Sequence, residues 1–319
     1  MQNERIGAID RFRGFAILTM VLANFMGGVQ VIPAWLKHAP DIGLTVIDLI
    51  APFFIFAIGL TFGPSFRRRM QRDGAARTYG HFAVRNLALL GIGAILSAGE
   101  TALGVNTNGV DWGVLQAIGA AGLLTLAVIR LPAAWRAVIG ATLLLVYQFA
   151  LERGMLAGVL ASPHGGLFGA LSWAAMLVLA TCLADMYHES GRSKWFFWTA
   201  VLVCAGGAAL ALLSPVSKNR VSATYVMVSL GASGMLFWSF HVLEGKLPFR
   251  SGLLDAWGRN PLALYLAHFL LLGLVYLPDQ PGLYAQAPLW LAILEMVLLV
   301  LALSGLAIWL KKKRIVLSL

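Results

Sequence analysis

The sequence predicts an all-α protein: a polytopic bundle of about ten transmembrane helices forming a single domain over residues 1–319. Three observations carry this prediction. Hydrophobic residues make up 59% of the chain and charged residues only 12%, with a mean hydropathy of +0.80. Apolar runs of about 20 residues follow one another, and the basic residues alternate between the segments that join them. Soluble domains carry roughly a quarter charged residues, so a soluble fold is excluded.

Each apolar run is long enough to cross the hydrocarbon core as a helix, which satisfies its own backbone hydrogen bonds. The predicted spans are 13–32, 44–63, 83–100, 112–130, 135–151, 166–186, 195–213, 222–243, 258–277 and 287–310.

The basic residues predict the orientation. If residue 1 is cytoplasmic, 20 of the 24 lysines and arginines fall in cytoplasmic segments. The other four are Lys37, Arg153, Lys218 and Arg220. The positive-inside rule therefore predicts a multi-pass protein of the inner (plasma) membrane with both termini in the cytoplasm. The net charge of +10 reflects this topology, and no nucleic-acid partner is expected because no soluble domain carries a basic face.

Several chemistries lack sequence support. The two cysteines, Cys182 and Cys204, lie inside apolar runs, and the histidines are scattered, so neither a disulfide framework nor a metal site is expected. P-loop, Rossmann, HExxH and GxSxG patterns do not occur, which removes the usual signals of phosphoryl transfer, dinucleotide binding, zinc proteolysis and serine hydrolysis.

Polar side chains near the lipid core are expensive, so they need a protein partner or a wet cavity. His38 lies in the first outer loop and Asp48 about one turn inside the following helix, where Asp48 could hold the imidazole in one tautomer. A solvated loop histidine is the simpler interpretation. Asn24 lies deep in the first span, where interhelical hydrogen bonding is its simpler role.

Other candidates lie near segment ends. Asn260 and Pro261 mark a helix start, and His268 shares a helix face with Tyr265; a buried, hydrogen-bonded histidine is the alternative for His268. Glu295 is alone in the last span.

A basic cytoplasmic edge is the candidate for an anionic ligand. Asp10 and Arg13 stand at helical i,i+3 spacing, suited either to a phosphate or to simple membrane anchoring. Arg85 and the run Arg67–Arg69 add positive charge, although a basic run after a span is ordinarily a stop-transfer signal.

Several short motifs follow one another along the chain. They are Asp10, Arg13 and Gly14; Asn24; Lys37-His38-Ala39, Gly43-Leu44-Thr45 and Asp48-Leu49; Gly113 to Gln116; Pro215 and Lys218; and Gly258 and Asn260 with Tyr265 and His268. In this order the motifs resemble the catalytic domain of the heparan-α-glucosaminide N-acetyltransferase family and its bacterial relatives, which are multispanning acyltransferases.

The resemblance implies that His38 is the active-site residue, with Asn24 and Asp48 as further catalytic residues. It implies acetyl-CoA as co-substrate, supplied from the cytoplasm, and a glucosamine-type acceptor on the opposite face. The expected donor-binding residues are Asp10, Arg13, Arg85, Gln116, Asn260 and His268. Two departures from the family pattern are Ala117, where an arginine is usual, and Asp41-Ile42, where an aromatic-Asn pair is usual; the second could change the acceptor.

The leading hypothesis is thus a membrane N- or O-acetyltransferase that acts on an amine or hydroxyl of an amino sugar or glycan. His38 would serve either as general base or as a nucleophile that forms an acetyl-imidazole, and the sequence leaves both routes open. The alternative is a secondary transporter or a flippase of a small or lipid-linked solute, with the polar residues along its pathway. A third hypothesis is a non-catalytic membrane subunit. A homodimer is left open.

Overall fold

The computed structural model describes residues 6–103, 109, 111–189, 193–244, 252–276 and 280–317. It is 82% helix, and no strand occurs among these residues. The α-helices are α1 (Gly7–Gly27), α2 (Ile50–Asp73), α3 (Ala75–Ala102), α4 (Val114–Val128), α5 (Ala133–Ala150), α6 (Leu156–Leu160), α7 (Gly166–His188), α8 (Ser193–Leu210), α9 (Ala223–Glu244), α10 (Gly252–Arg259), α11 (Pro261–Tyr276) and α12 (Leu289–Lys312). The predicted fold class is confirmed.

Each predicted span overlaps a helix, but fewer helices qualify as spans. Among the described residues seven are long and apolar enough to cross a membrane, or eight if the bent pair α10 and α11 is one span. Helix α1 is not among the seven, and it carries three charged residues near its start, Asp10, Arg11 and Arg13. Helix α4 has only 15 residues, about 22 Å of rise, which is less than the roughly 30 Å hydrocarbon core. The count of ten is therefore approximate.

Two helices extend well beyond the predicted spans, because hydropathy marks where a helix leaves the lipid and not where the helix ends. Helix α2 runs ten residues beyond the predicted end at 63, and α3 begins at Ala75 instead of 83. The intervening arginines are good helix formers, so the charged stretch stays helical. The break falls at Gly74, whose φ of +78° favours glycine.

The described chain divides into two compact units. The first comprises the described residues of Met1–Ala39, Thr45–Phe54 and Leu236–Ser318, and the second comprises those of Pro40–Leu44 and Ile55–Met235. The expectation of one domain over residues 1–319 stays a prediction.

The first unit is built on a close crossing of α1 and α10. A Cβ atom added at Gly14 would collide with the Leu254 carbonyl, and one at Gly258 would collide with the Asp10 carbonyl. The small residues thus let the two backbones touch. Arg259 ends α10, and α11 departs from it at 89°, starting at Pro261 as the sequence predicts.

The second unit packs α3 on α4, α4 on α7 and α5 on α7. Gly122 of α4 has no room for a Cβ beside Asn86 of α3. Arg136 of α5 is buried and donates to the Thr181 hydroxyl at 2.6 Å and to the Asp185 carboxylate. A buried guanidinium in a membrane helix needs such partners, so this cluster is structural.

Candidate active site

His38 and Asp48 form an ion-pair-type contact in the first unit. The chain leaves α1 at Gly27, passes a short 3-10 turn at Ala34–Leu36 and reaches His38; a second turn at Ile47–Leu49 then presents Asp48 just before α2. His38 Nδ1 lies 2.7 Å from Asp48 Oδ1. The imidazole side chain is 46% exposed, whereas the carboxylate is fully buried. The predicted partnership is therefore present in the folded chain.

The surroundings of Asp48 favour its ionised form. Its Oδ2 accepts the backbone N–H of Thr45 at 2.9 Å and that of Ala39 at 3.2 Å, and it lies 3.1 Å from the Thr45 hydroxyl. That hydroxyl has one hydrogen, which also lies within reach of the Lys37 carbonyl at 2.8 Å. Donors that converge on a buried carboxylate stabilise its charge.

This arrangement assigns the two nitrogens of His38. Because an ionised Asp48 only accepts hydrogen bonds, the proton between the two side chains belongs to His38 Nδ1. In the neutral imidazole the lone pair then belongs to Nε2. A half-exposed imidazole oriented by a buried carboxylate is suited to take a proton or to attack a carbonyl carbon.

Thr45, which the sequence showed only as part of the Gly43-Leu44-Thr45 motif, is a further residue of the site. Its backbone N–H and hydroxyl both approach Asp48, three residues further along the chain. The signal was the Thr-x-x-Asp spacing directly before a helix, which resembles a capping box.

Asn24 pairs with His268 in the first unit. Asn24 Nδ2 lies 2.9 Å from His268 Nε2. His268 is fully buried, and its Nδ1 donates to the Tyr265 carbonyl one turn earlier on α11. Nδ1 therefore carries the hydrogen, Nε2 accepts from the Asn24 amide, and the Asn24 carbonyl oxygen is directed away from the ring. Tyr265 and His268 share a helix face, as the spacing predicts, with ring centroids 5.0 Å apart and ring planes inclined at 56°.

Asp10 and Arg13 form the predicted i,i+3 pair, 3.3 Å apart, at the other end of α1. Arg13 also donates to the Gly258 carbonyl at 3.3 Å. Both side chains are partly exposed, at 15% for Asp10 and 22% for Arg13. The neighbouring Arg11 pairs instead with Glu244 at 3.3 Å.

Three other predicted donor-binding residues have local roles or separate positions. Asn260 holds the C-terminal tail: its amide donates to the Ile315 carbonyl at 2.9 Å and accepts from Leu317 N–H at 2.8 Å. Gln116, in the second unit, is buried and bonds the backbone of Gly113 and Asp111 at 3.0 and 3.1 Å. Arg85 is partly buried on α3 of the same unit. Their roles in donor binding stay predictions.

Two further features concern charge inside the spans. Glu295 Oε2 is buried without a hydrogen-bond partner among the described residues, as its isolation in the sequence suggested. Among all the described residues, no group of three or more His, Cys, Asp and Glu side chains is placed to hold a metal ion.

Comparison with known proteins identifies the family. The model of the family "Heparan-alpha-glucosaminide N-acetyltransferase, catalytic" matches residues 5–270. The chain belongs to this family. A heparan-alpha-glucosaminide N-acetyltransferase of Homo sapiens is 35% identical over 122 residues, which are 36% of this chain and 17% of the relative. The Mus musculus protein is 33% identical over 123 residues, 36% and 18% of the two chains.

The chain thus matches less than a fifth of the length of these curated relatives. Membership in the N-acetyltransferase family confirms the predicted resemblance, and with the apolar helices it supports a multi-pass membrane transferase. The transporter or flippase alternative is not favoured.

Proposed function

We propose that this protein transfers an acetyl group from acetyl-CoA, supplied from the cytoplasm, to an amine or hydroxyl of a glucosamine-type acceptor on the extracytoplasmic face of the membrane. The observation that carries the proposal is the His38–Asp48 contact of 2.7 Å in a member of an N-acetyltransferase family. Asp48 orients and stabilises the imidazole, and His38 performs the chemistry.

The charge distribution along α1 supports the two-sided arrangement. Arg13 lies near the basic, cytoplasmic end and Asn24 near the other end. Eleven residues of helix separate them, about 16 Å of rise. A phosphate-bearing donor is attracted to the guanidinium of Arg13, which Asp10 orients. The acyl end of a long, thin donor would then extend inward, towards the end of α1 that carries Asn24.

In the general-base route, His38 Nε2 accepts the proton of the acceptor amine or hydroxyl while that atom attacks the thioester carbonyl. The C–S bond then breaks, and the imidazolium returns its proton to the departing CoA thiolate. Asp48 stabilises the imidazolium throughout, without becoming protonated. The products are the acetylated acceptor and CoA.

In the nucleophilic route, His38 Nε2 itself attacks the thioester carbon, and CoA leaves before the acceptor arrives. The acceptor then attacks the acetyl carbon of the acetyl-imidazole, the C–N bond breaks, and the released Nε2 takes the proton of the acceptor and passes it to solvent. Asn24 has the same role in both routes: its amide orientation is fixed by His268, and its carbonyl oxygen accepts a hydrogen bond from the incoming donor or acceptor.

The proposal is tested with purified protein in proteoliposomes. Acetyl-CoA carrying a radiolabelled acetyl group is supplied on one side and glucosamine on the other, and labelled product is measured. Stabilisation of the detergent-solubilised protein by acetyl-CoA, compared with CoA and with free acetate, provides an independent binding readout. Absence of both product and thermal stabilisation would refute the proposal.

Isotope exchange separates the two routes. Without acceptor, labelled CoA enters the acetyl-CoA pool only if the acetyl group rests on the enzyme between steps. Exchange that requires His38 supports the acetyl-imidazole. Acetyl transfer to acceptor without such exchange supports the general-base route.

A further inference from the structure

The segment that follows His38 is held by a second loop of the chain. Residues 40–44 lie in the second unit, where they contact the loop between α8 and α9, residues 211–222, called here the α8–α9 loop. Arg220 Nε lies 3.0 Å from both carboxylate oxygens of Asp41, and Arg220 Nη2 donates to Oδ2 as well. A guanidinium that meets a carboxylate through two nitrogens fixes both distance and orientation.

Three further hydrogen bonds join the same two segments. The Ser217 hydroxyl donates to Asp41 Oδ1 at 2.8 Å. The Gly43 N–H donates to the Val216 carbonyl at 2.9 Å, and the Asn219 amide donates to the Pro40 carbonyl. Side-chain and backbone contacts therefore hold the segment along its length, and not at one point.

The α8–α9 loop is itself rigidly held. Ser217 and Ser222 exchange two hydrogen bonds of 3.1 Å. The Arg220 carbonyl accepts the Tyr147 hydroxyl at 2.7 Å, and the Val221 carbonyl accepts the Ser172 hydroxyl at 2.7 Å. A loop bonded to α5 and α7 in this way is a fixed support for the guanidinium of Arg220.

Arg220 and Ser217 stabilise the ionised form of Asp41. The guanidinium of Arg220 holds the pKa of the Asp41 carboxyl below its usual value, assisted by the Ser217 hydroxyl. The charge of Asp41 is therefore balanced by Arg220, and its carboxylate serves to hold the loop and not to bind an acceptor amine. The expectation that Asp41-Ile42 changes the acceptor stays a prediction, but the contacts give Asp41 a different role. They also give a reason for an arginine on the side of the membrane where basic residues are rare.

We propose that Asp41 and Arg220 are positioning residues that fix the loop bearing His38 for acetyl transfer. The proposal rests on the proposed function of His38. The contacts of Asp41 with Arg220 and Ser217, called here the clamp, hold residues 40–44. Ala39 and Thr45 flank this segment, and their backbone N–H groups donate to Asp48. Because the chain is continuous, fixing residues 40–44 also restrains the two N–H groups that hold the Asp48 carboxylate. Catalysis depends steeply on such orientation.

The test compares Asp41→Asn, Arg220→Gln and the double variant with wild type. Each single variant is expected to lower kcat about tenfold, in line with the cost of slight misplacement, and to leave the KM for acetyl-CoA unchanged. Because both residues act as one device, the double variant is expected to lose no more than either single variant. Arg153→Gln, which removes another arginine from an exposed position outside the cytoplasmic segments, is the matched control and should leave kcat unchanged.

Hydrogen exchange of the peptide covering residues 38–46 provides a readout that does not need activity. The clamp variants should exchange faster in this peptide and not in α7, whereas Arg153→Gln should match wild type. Arg220→Lys keeps the positive charge but loses the two-nitrogen contact of the guanidinium, and it is the variant to use if Arg220→Gln fails to fold. Its kcat and its exchange rate in this peptide should lie between those of wild type and Arg220→Gln.

The outcomes separate the two claims. Singles with wild-type kcat and unchanged exchange, beside an inactive His38→Ala, would overturn the clamp and leave the proposed function intact. Additive losses in the double variant would also overturn it. A fully active His38→Ala would instead refute the proposed function, and the exchange result would then still decide whether the clamp orders the loop.

Discussion

Two histidines of the first unit occupy opposite environments. His38 is half exposed and its ring nitrogen lies 2.7 Å from a buried carboxylate. His268 is fully buried, and its two ring nitrogens bond an amide and a backbone carbonyl. The carboxylate orients one nitrogen of a half-exposed ring in His38, whereas both nitrogens of the His268 ring are engaged by neutral partners inside the fold. The contrast supports the proposed division of roles, in which His38 does the chemistry and His268 holds Asn24 in place.

The largest effect is expected for His38→Ala. Loss of the base or nucleophile should reduce kcat for acetyl transfer by about 10²–10⁴-fold, while the thermal midpoint stays near that of wild type because the side chain lies in a half-exposed loop. Initial rates and thermal unfolding of the same preparation check this. His81→Ala, which removes a partly buried histidine of α3, is the control and should keep full activity.

Asp48→Asn should come next, with kcat lowered by about 10²-fold, the lower end of the range for general acid–base catalysis. The imidazole remains, but an amide can present N–H to His38 and no longer fixes the tautomer or stabilises the imidazolium. The amide also fits poorly beside the N–H groups of Ala39 and Thr45. Steady-state kinetics with both substrates would show the loss in kcat; a change confined to the KM for acetyl-CoA would speak against an orienting role.

His268→Ala should reverse the pattern and act mainly on stability. The truncation leaves a cavity and an unpaired Asn24 amide, at a cost of about 2–4 kcal/mol. The kcat per folded molecule should fall less than in Asp48→Asn, because no bond is made or broken at this ring. Thermal unfolding in detergent measures the loss. His188→Ala, which removes a partly buried ring bonded to the Leu60 carbonyl, should cost less.

The smallest effect is expected for the pH dependence of stability through Asp41. The pKa of Asp41 is lowered in the folded chain, first by its hydrogen bonds to Arg220. The ion pair therefore contributes stability that is present above the ordinary value of 3.8 and is lost as the pH falls through the lower, folded-state pKa. The thermal midpoint of wild type should exceed that of Asp41→Asn at pH 7, and the difference should shrink below about pH 4. A difference that does not change with pH would contradict the ion pair.

Contacts between residues that are close in the sequence could be predicted from it. The Asp10–Arg13 pair follows from helical spacing, and the His38–Asp48 pair from a loop histidine ten residues before an acid at a helix start. Helix break and start at Asn260-Pro261 follow from the proline. Here the chain itself brings the partners together, so spacing is sufficient.

The non-local pairings could not be predicted. Asn24 and His268 are 244 positions apart, and Asp41 and Arg220 are 179 apart, so tertiary packing alone brings each pair together. The helices α2 and α3 extend beyond the predicted spans because the arginines between those spans are charged and also helix-forming. In a single sequence, charge shows where the lipid ends, but it does not show where the helix ends.

The contrast between His38 and His268 is tested by acetyl transfer per folded molecule for wild type, His38→Ala and His268→Ala, measured side by side in proteoliposomes with acetyl-CoA and glucosamine. The folded fraction is taken from thermal unfolding of the same samples. We expect a loss of about 10²-fold or more for His38→Ala and a loss within about tenfold for His268→Ala, together with a lower midpoint for His268→Ala only. Full activity of His38→Ala, or inactivation of folded His268→Ala alone, would contradict the assignment.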